Sequence, residues 1–296
     1  MLRLIYAIRL RMSSPLHGYN HWIMPELPEI EVLRRSLAPL LPGDTIESVR
    51  VTNASLREPV RTRSLARVKG RRIEALRRRS KYLLIDLSGD STLAIHLGMS
   101  GRLTLVPAAA PAEPHEHVSF RLRSGRRLRF RDPRRFGLVL ALPTAGLAAD
   151  PHFAHLGVEP LERGFSGDVL RRAADGRRGP LKSFLMDARI VVGLGNIYAT
   201  ETLFAAGVHP ARSVGRIAPP TWDRLARSAV AVLRRAIAEG GTTLNDFADG
   251  EGRSGEFQVS LAAYGRESEP CHRCGHLIRR LVQAGRSTFY CPHCQR

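Results

Sequence analysis

The feature that most constrains this chain is a set of four cysteines near its C-terminus. Two residues separate Cys271 from Cys274 and Cys291 from Cys294, and sixteen residues lie between the two pairs. This spacing is typical of a tetrahedral site with four thiolate ligands, with two disulfides or free thiols as the alternatives. So short a unit buries too little apolar surface to fold alone, whereas a structural zinc contributes about 10–16 kcal/mol. The spacing therefore predicts a zinc-ribbon finger that holds one structural Zn²⁺.

The charge of the chain is strongly positive. Its 296 residues include 46 lysines and arginines against 27 aspartates and glutamates, which gives a formal net charge of +19 at pH 7. Hydrophobic residues make up 43%, enough for a real core, so the chain is not a disordered basic tail. No apolar run is long enough to predict a membrane span. The charge favours a polyanionic partner, and nucleic acid is the first candidate.

Arginine supplies nearly all of this positive charge, because the only lysines are Lys69, Lys81 and Lys182. A lysine carries a compact amine that can titrate, whereas arginine stays charged throughout the accessible pH range. The three lysines are therefore worth separate attention. Lys81 precedes an apolar stretch. The ordinary interpretation of a lysine in this position is a residue at a strand edge that extends its amine to solvent.

The pattern of apolar residues divides the chain into three regions after its first 24 residues. Residues 25–150 show one helical repeat and then short β-type stretches separated by turns, which predicts an antiparallel β-sandwich with an N-terminal helix. Helical patterns dominate residues 151–250, and the cysteine-bearing unit lies in residues 261–296. The expected fold class is α+β multidomain. The predicted strands are 45–52, 81–87, 92–96, 102–106, 117–123 and 126–130, and the later predicted helices are 169–174, 182–188, 197–206 and 223–239.

Residues 1–24 differ from the rest of the chain. They contain three arginines and no acidic residue, and their apolar residues show no clear period. An arginine-rich, acid-poor leader is typical of a transit peptide. A start codon assigned too far upstream is the simpler interpretation, and it is the one we prefer.

Two short motifs suit contact with nucleic acid. Residues 193–196, Gly-Leu-Gly-Asn, precede a helical pattern, where a glycine turn and an N-capping Asn196 would expose backbone amides to a phosphate. A simple capped turn is the alternative. Residues 132–136, Asp-Pro-Arg-Arg-Phe, place arginine beside an aromatic ring at a predicted hairpin, as a wedge that enters a DNA groove requires. A charged, solvated turn is the alternative for this motif.

Together these segments resemble the formamidopyrimidine-DNA glycosylases, also called 8-oxoguanine DNA glycosylases. The resemblance covers Pro25 to Arg296 and implies a β-sandwich, a helix–two-turn–helix domain and a zinc-ribbon finger, with damaged double-stranded DNA in the cleft between the halves. The matching segments occur in the family order and are 24–31 (MPELPEIE), 80–84 (SKYLL), 96–100 (HLGMS), 132–137 (DPRRFG), 185–187 (LMD), 192–198 (VGLGNIY), 240–244 (GGTTL) and the four cysteines.

The resemblance implies a base-excision repair enzyme that removes oxidised purines and then cleaves the strand by β,δ-elimination. Pro25, freed by removal of Met24, would present a secondary α-amine, which attacks the sugar C1′ and forms a Schiff base; α-amino groups ordinarily have a pKa near 8, so part of the population is unprotonated at neutral pH. Glu26 is implied as the general acid for opening of the sugar ring, and Lys81 as the proton donor for β-elimination. Arg286 is implied as the donor for δ-elimination, with binding of the departing phosphate as the alternative, because a guanidinium does not readily release a proton.

Further residues are implied in holding the DNA. Removal of a base requires extrusion of its nucleotide, and Met99, Arg134 and Phe136 are implied in filling the void. The implied DNA-contacting residues are His115, Arg134, Arg177, Lys182 and Asn196. Segment 249–256 corresponds to a loop that closes on the damaged base. A monomer in the bacterial cytoplasm, associated with the nucleoid through DNA binding and without a membrane partner, is expected.

Two other functions compete with this one. Endonuclease VIII-like glycosylases share the amine chemistry but act on oxidised pyrimidines, and Leu27 together with the 132–136 motif favours the purine enzyme. A non-catalytic zinc-ribbon DNA binder would have the same basic surface and the same cysteines. Such a binder has no need for Pro25 and Glu26 together with Lys81, so these residues favour an enzyme.

Overall fold

The computed structural model of the chain describes residues 24–241 and 261–296. Most of the predicted leader and the predicted lesion-closing segment, 249–256, lie outside the described residues. The helices are α1 (Leu27–Leu37), α2 (Thr62–Ala66), α3 (Gly167–Ala173), α4 (Leu181–Leu185), α5 (Asn196–Ala206) and α6 (Pro219–Ala238). The strands are β1 (Ile46–Val51), β2 (Ile73–Arg79), β3 (Tyr82–Leu87), β4 (Ser91–His96), β5 (Arg102–Pro107), β6 (Glu116–Leu122), β7 (Arg126–Arg131), β8 (Leu138–Pro143), β9 (Arg279–Gln283) and β10 (Arg286–Tyr290).

Two antiparallel sheets of four strands form the N-terminal sandwich. One sheet has the order β1-β6-β7-β5 and the other has the order β2-β3-β4-β8. Their inner faces enclose an apolar core that includes Phe120 and Phe130. The predicted β-sandwich is therefore confirmed, and β2 and β8 are strands that the sequence pattern did not predict.

Helix α1 connects this sandwich to the helical part of the chain. Ile30, Leu33 and Leu37 recur at helical spacing and lie in the sandwich core. Leu27, at the start of the same helix, packs instead into the core formed by the later helices and the finger. The first turn of α1 therefore lies where the two halves of the molecule meet, and this position fixes the residues around Pro25.

The finger shares its core with the helices. Strands β9 and β10 form an antiparallel hairpin. Ile278, Phe289 and all four cysteines pack in or against the helical core. The buried carboxylate of Glu201 on α5 accepts hydrogen bonds of 2.8–2.9 Å from the backbone amides of residues 262–264, ahead of the first cysteine. In the described parts of the chain, no helix is both long and apolar enough to cross a bilayer.

Candidate catalytic and DNA-binding site

Glu26 lies with its carboxylate buried against the start of helix α5. The residue is 2% exposed. Its side-chain oxygens accept hydrogen bonds from the backbone amides of Gly195, at 2.5 Å, and Ile197, at 3.0 Å. The first amides of a helix lack intrahelical acceptors and carry a partial positive charge, so they stabilise a carboxylate in this position. The residue directly after Pro25 is thereby fixed to the opposite half of the protein.

Two glycines of the 193–196 motif make this approach possible. A Cβ atom on Gly195 would lie 2.3 Å from the Glu26 side chain, and one on Gly193, whose φ is +82°, would lie 2.5 Å from Leu27. The Leu27 amide also donates to the Gly193 carbonyl. The motif therefore holds the N-terminal segment of the protein. Asn196 is the first residue of α5 and not its N-cap, so the predicted capping role is wrong.

A second buried carboxylate lies beside Glu26. Glu29 accepts a hydrogen bond of 2.8 Å from the Glu26 backbone amide, and the Tyr198 hydroxyl donates to its other oxygen at 2.5 Å. Burial raises the pKa of Glu26 above its ordinary value, against the opposing charge of Lys81, and the charge of Glu29 raises it further. The backbone amides lower this pKa by a smaller amount. An environment of this kind favours the protonated carboxyl that a general acid requires.

Lys81 lies in the turn between β2 and β3, because β3 begins at Tyr82, one residue after the start of the predicted strand 81–87. The preceding residue, Ser80, has a φ of +54°, and its amide donates to the buried carboxylate of Glu159 at 2.6 Å. Glu159 also accepts from Arg78, at 2.7 Å, and from Arg79, at 3.1 Å. This carboxylate, which sequence reasoning missed, fixes the hairpin that presents the Lys81 amine.

A neutral histidine also lies close to Lys81. His96 is buried, and its Nδ1 accepts a hydrogen bond of 2.9 Å from the Gly98 amide. Burial, together with the positive charges of Lys81 and Arg57, lowers the pKa of His96 to about 3. Its imidazole therefore stays uncharged at neutral pH. The sequence places this residue at the start of the 96–100 motif but does not indicate that the charge of Lys81 acts on its imidazole.

The residues implied in filling the void come from two loops that are bound to each other. The Ser100 hydroxyl donates to Asp132 at 2.7 Å and accepts from the Arg134 amide at 3.1 Å. The Arg134 guanidinium lies over the Phe136 ring, 5.0 Å from its centroid. Phe136 is 44% exposed, although its ring is large and apolar. Met99, in the first loop, is half-buried. The structure thus brings Met99, Arg134 and Phe136 to adjacent loops.

Lys182 is almost completely buried, with 1% of its surface exposed. Its Nζ donates to the Asn196 side chain at 2.5 Å, to the Thr288 hydroxyl at 2.8 Å and to the Ser287 carbonyl at 3.2 Å. Burial lowers the pKa of Lys182 to about 7, while Glu26 raises it and Arg286 lowers it. The lysine therefore joins α4, α5 and the finger, and it positions the Asn196 side chain.

The remaining predicted contacts lie at the surface. Arg286 is exposed at the start of β10, directly after the turn of the finger hairpin. Its positive charge lowers the pKa of Lys182. His115 is exposed and has a φ of +66°. Arg177 is exposed, with its guanidinium 3.8 Å from Asp187. Glu26, Lys81, Lys182 and Arg286 thus form one electrostatic cluster, whereas His115 and Arg177 lie outside it.

The four cysteine sulfurs form a compact group at the base of the finger. Tetrahedral Zn²⁺ with Zn–S bonds of about 2.3 Å places its sulfurs about 3.8 Å apart. The observed separations are 3.9 Å for Cys271–Cys294, 3.5 Å for Cys274–Cys291 and 3.3 Å for Cys274–Cys294. All four are free thiols, which excludes the disulfide alternative in this structure. The donor set fits one structural zinc, as predicted.

Sequence models of three domains match the chain. They are the formamidopyrimidine-DNA glycosylase N-terminal domain over residues 24–139, the H2TH domain of the same enzymes over residues 156–248, and the zinc finger found in FPG and IleRS over residues 268–296. The formamidopyrimidine-DNA glycosylase of Acidithiobacillus ferrooxidans is 50% identical over 92% of this chain and 100% of its own length. The formamidopyrimidine-DNA glycosylase of Ruegeria pomeroyi is 48% identical over 92% of this chain and 100% of its own length.

Solved structures of proteins from the same family also resemble the fold. The MutM (FPG) protein of Thermus thermophilus superposes with a TM-score of 0.83 at 39% identity, over 92% of this chain and 98% of that one. A mutant FPG of Lactococcus lactis, in complex with DNA that contains Fapy-dG, gives a TM-score of 0.85 at 31% identity, over 92% and 100%. A Lactococcus lactis Fpg in complex with abasic-site DNA gives 0.84 at 32% identity, over 92% and 99%.

Proposed function

The chain belongs to the formamidopyrimidine-DNA glycosylase family, and from that premise we propose that Pro25, Glu26 and Lys81 carry its chemistry. The protein is a base-excision repair DNA glycosylase with abasic-site lyase activity. The observation that supports the residue assignment best is the position of Glu26. Its buried carboxylate, next to Pro25, accepts hydrogen bonds from backbone amides at the start of α5. The charge of Lys81 also acts on this carboxylate.

In the first step, the secondary amine of Pro25 attacks the sugar C1′ of the damaged nucleotide. A bond forms between nitrogen and C1′ as the glycosidic bond breaks with its electrons leaving on the base, and the proton that the amine loses neutralises the departing base. The carboxyl of Glu26 donates its proton to the ring oxygen as the sugar opens, and an iminium ion results. The raised pKa of Glu26 supports this role, because a carboxyl with the usual pKa would hold little proton at neutral pH.

In the second step, the iminium draws electrons from the sugar so that the strand can break by β-elimination and then by δ-elimination. Lys81 acts in the first elimination and Arg286 in the second. Arg286 acts by binding the departing phosphate, since a guanidinium holds its proton. The four cysteines would hold a zinc ion that stabilises the finger and takes no part in these steps. The hairpin that carries Arg286 is part of that finger.

The DNA contacts divide by position. Arg134 and Phe136, with Met99, occupy the space left by the extruded nucleotide, and Phe136 is suited to this because its ring is exposed. His115, Arg177 and Asn196 bind the DNA backbone. Lys182 acts on DNA through the Asn196 side chain and the finger that its amine holds. Residues 25–150, 151–250 and 261–296 are the corresponding domains, and the active form is a monomer in the bacterial cytoplasm that associates with the nucleoid.

The test compares two duplexes, one with 8-oxoguanine opposite cytosine and one with an oxidised pyrimidine. We expect faster base release from the first, followed by strand ends that both carry phosphate, as β,δ-elimination requires. Lys81→Ala should lose strand cleavage or base release, whereas Lys69→Ala, a change at an exposed lysine, should match the unaltered protein. Preference for the pyrimidine lesion would favour the endonuclease VIII-like alternative. Binding without release of either base would favour the non-catalytic DNA binder.

A further inference from the structure

The finger carries a pair of exposed histidines next to one of its cysteines. The imidazole rings of His276 and His293 stack with their centroids 4.5 Å apart and their planes only 6° from parallel. One ligand atom from each histidine and the Cys274 sulfur all lie within 4.8 Å of one another. Both histidine side chains face solvent. The fold of the finger does not need this pair, because the four-thiolate group is complete without it.

We propose that His276, His293 and the Cys274 sulfur form a second, solvent-facing site for a divalent transition metal such as Zn²⁺, Co²⁺ or Ni²⁺. Imidazole and thiolate ligands suit these ions. With metal–nitrogen bonds of about 2.0–2.1 Å, two nitrogens on one ion lie at most about 4.2 Å apart. The ligand atoms of the cluster, all within 4.8 Å of one another, lie close to this range.

Cys274 links the second site to the first. A thiolate sulfur has lone pairs left after it binds one zinc, so the Cys274 sulfur can bridge two ions without releasing a further proton. The second site has three protein donors and is open to solvent, whereas the first has four thiolates and is closed. The second ion should therefore bind more weakly and exchange more readily than the structural zinc.

The first experiment titrates untagged, zinc-loaded full-length protein with Zn²⁺ in competition with a chromophoric chelator. The unaltered protein should bind one further equivalent beyond the structural zinc. His276→Gln and His293→Gln should each weaken this second equivalent at least about tenfold, which is 1.4 kcal/mol, and should keep the first. His272→Gln, at an exposed finger histidine outside the cluster, should leave both unchanged. A second equivalent that is missing, or equal in all variants, would overturn the proposal.

A second measurement needs no variant that could lose the structural zinc. The histidine ring signals of the unaltered protein are followed by NMR as Zn²⁺ is added. Shifts at His276 and His293, with none at His272, would support the site. Ring signals of the pair that remain unchanged past one added equivalent would overturn it. If the pair instead binds DNA phosphate alone, its variants will weaken duplex binding while the NMR titration stays flat.

Discussion

The carboxylate of Glu26 accepts a hydrogen bond of 2.5 Å from the backbone amide of Gly195, a residue 169 positions later in the chain. This bond joins the N-terminal segment to the first turn of α5, across the junction of the two halves. It also explains why a glycine occupies position 195, since any Cβ there would meet the carboxylate. The geometry of the proposed general acid thus depends on a residue with no side chain.

Gly195→Ala tests this dependence. Its backbone angles, φ −110° and ψ −152°, suit alanine, so the only penalty is the contact of the new Cβ with Glu26. Overpacking of this kind costs about 1–3 kcal/mol, and we expect base release to slow at least about tenfold while binding to undamaged duplex persists. Gly164→Ala is the control, because a Cβ there meets nothing. Equal rates of base release in both variants would show that Glu26 needs no such support.

The buried amine of Lys182 should titrate near neutral pH. Burial lowers its pKa to about 7, from 10.5. Between these values the unfolded chain binds a proton that the folded chain does not, so this lysine makes the free energy of unfolding rise with pH across that window. ¹⁵N NMR of the three lysine amines should show one transition close to pH 7 that disappears in Lys182→Met. A Lys182 signal that stays protonated above pH 9 would contradict this description of its environment.

Phe136 should contribute to damage binding and not to stability. Its ring is 44% exposed, and stacking of a base on an aromatic ring contributes about 1–3 kcal/mol. Phe136→Ala should therefore bind a duplex with an abasic-site analogue about tenfold more weakly, as measured by fluorescence anisotropy, with an unchanged melting temperature. Leu277→Ala, which also removes an exposed apolar side chain, should change neither quantity. Equal binding by both variants would remove Phe136 from the proposed wedge.

Zinc should be structural in this protein. Cys291 is buried and supplies one of the four sulfurs of the cluster, so its replacement by serine removes one of the four zinc ligands. Cys291→Ser should lose bound zinc by elemental analysis and weaken duplex binding, while the β-sandwich keeps its circular dichroism signal. Full activity in a preparation without zinc would contradict the structural role.

The sequence predicts much of the fold but not strand β2. The period-2 pattern fails there because Ile73 and Leu76, its buried residues, stand three apart, across a shift of register between Ile73 and Ala75. The rest of β2 carries arginines that pair with carboxylates, as Arg78 does with Glu159, 81 residues later in the chain. Such a strand is stabilised by long-range ion pairs, and a local pattern of apolar residues does not report them.

The same limit applies to the site. The proposed roles of Glu26 and Lys81, and the zinc site of the four cysteines, follow from sequence motifs whose order along the chain matches the family. The supporting roles of Glu159 and His96 depend on contacts between distant segments. The position of Asn196 before a helical pattern predicts an N-cap, yet the helix amides there bind Glu26 and the Asn196 side chain binds Lys182. Only the folded chain brings these partners together.

The central claim is that the nitrogen of Pro25 is the nucleophile. Inside a longer chain this nitrogen belongs to a tertiary amide, whose lone pair is delocalised into the carbonyl and which carries no proton. It can attack C1′ only after the residues before it have been removed. The adjacent segment of the chain is already fixed by Glu26, so a free Pro25 would lie at the same place in the site.

The most direct measurement compares two purified forms, each verified by intact mass: one that begins at Pro25 and one that begins at Met1. Both are mixed with 8-oxoguanine duplex and borohydride, which reduces an iminium to a stable crosslink. The form that begins at Pro25 should become covalently attached to the DNA, and the form that begins at Met1 should bind the duplex without crosslinking. Equal crosslinking by the two forms would show that Pro25 is not the nucleophile.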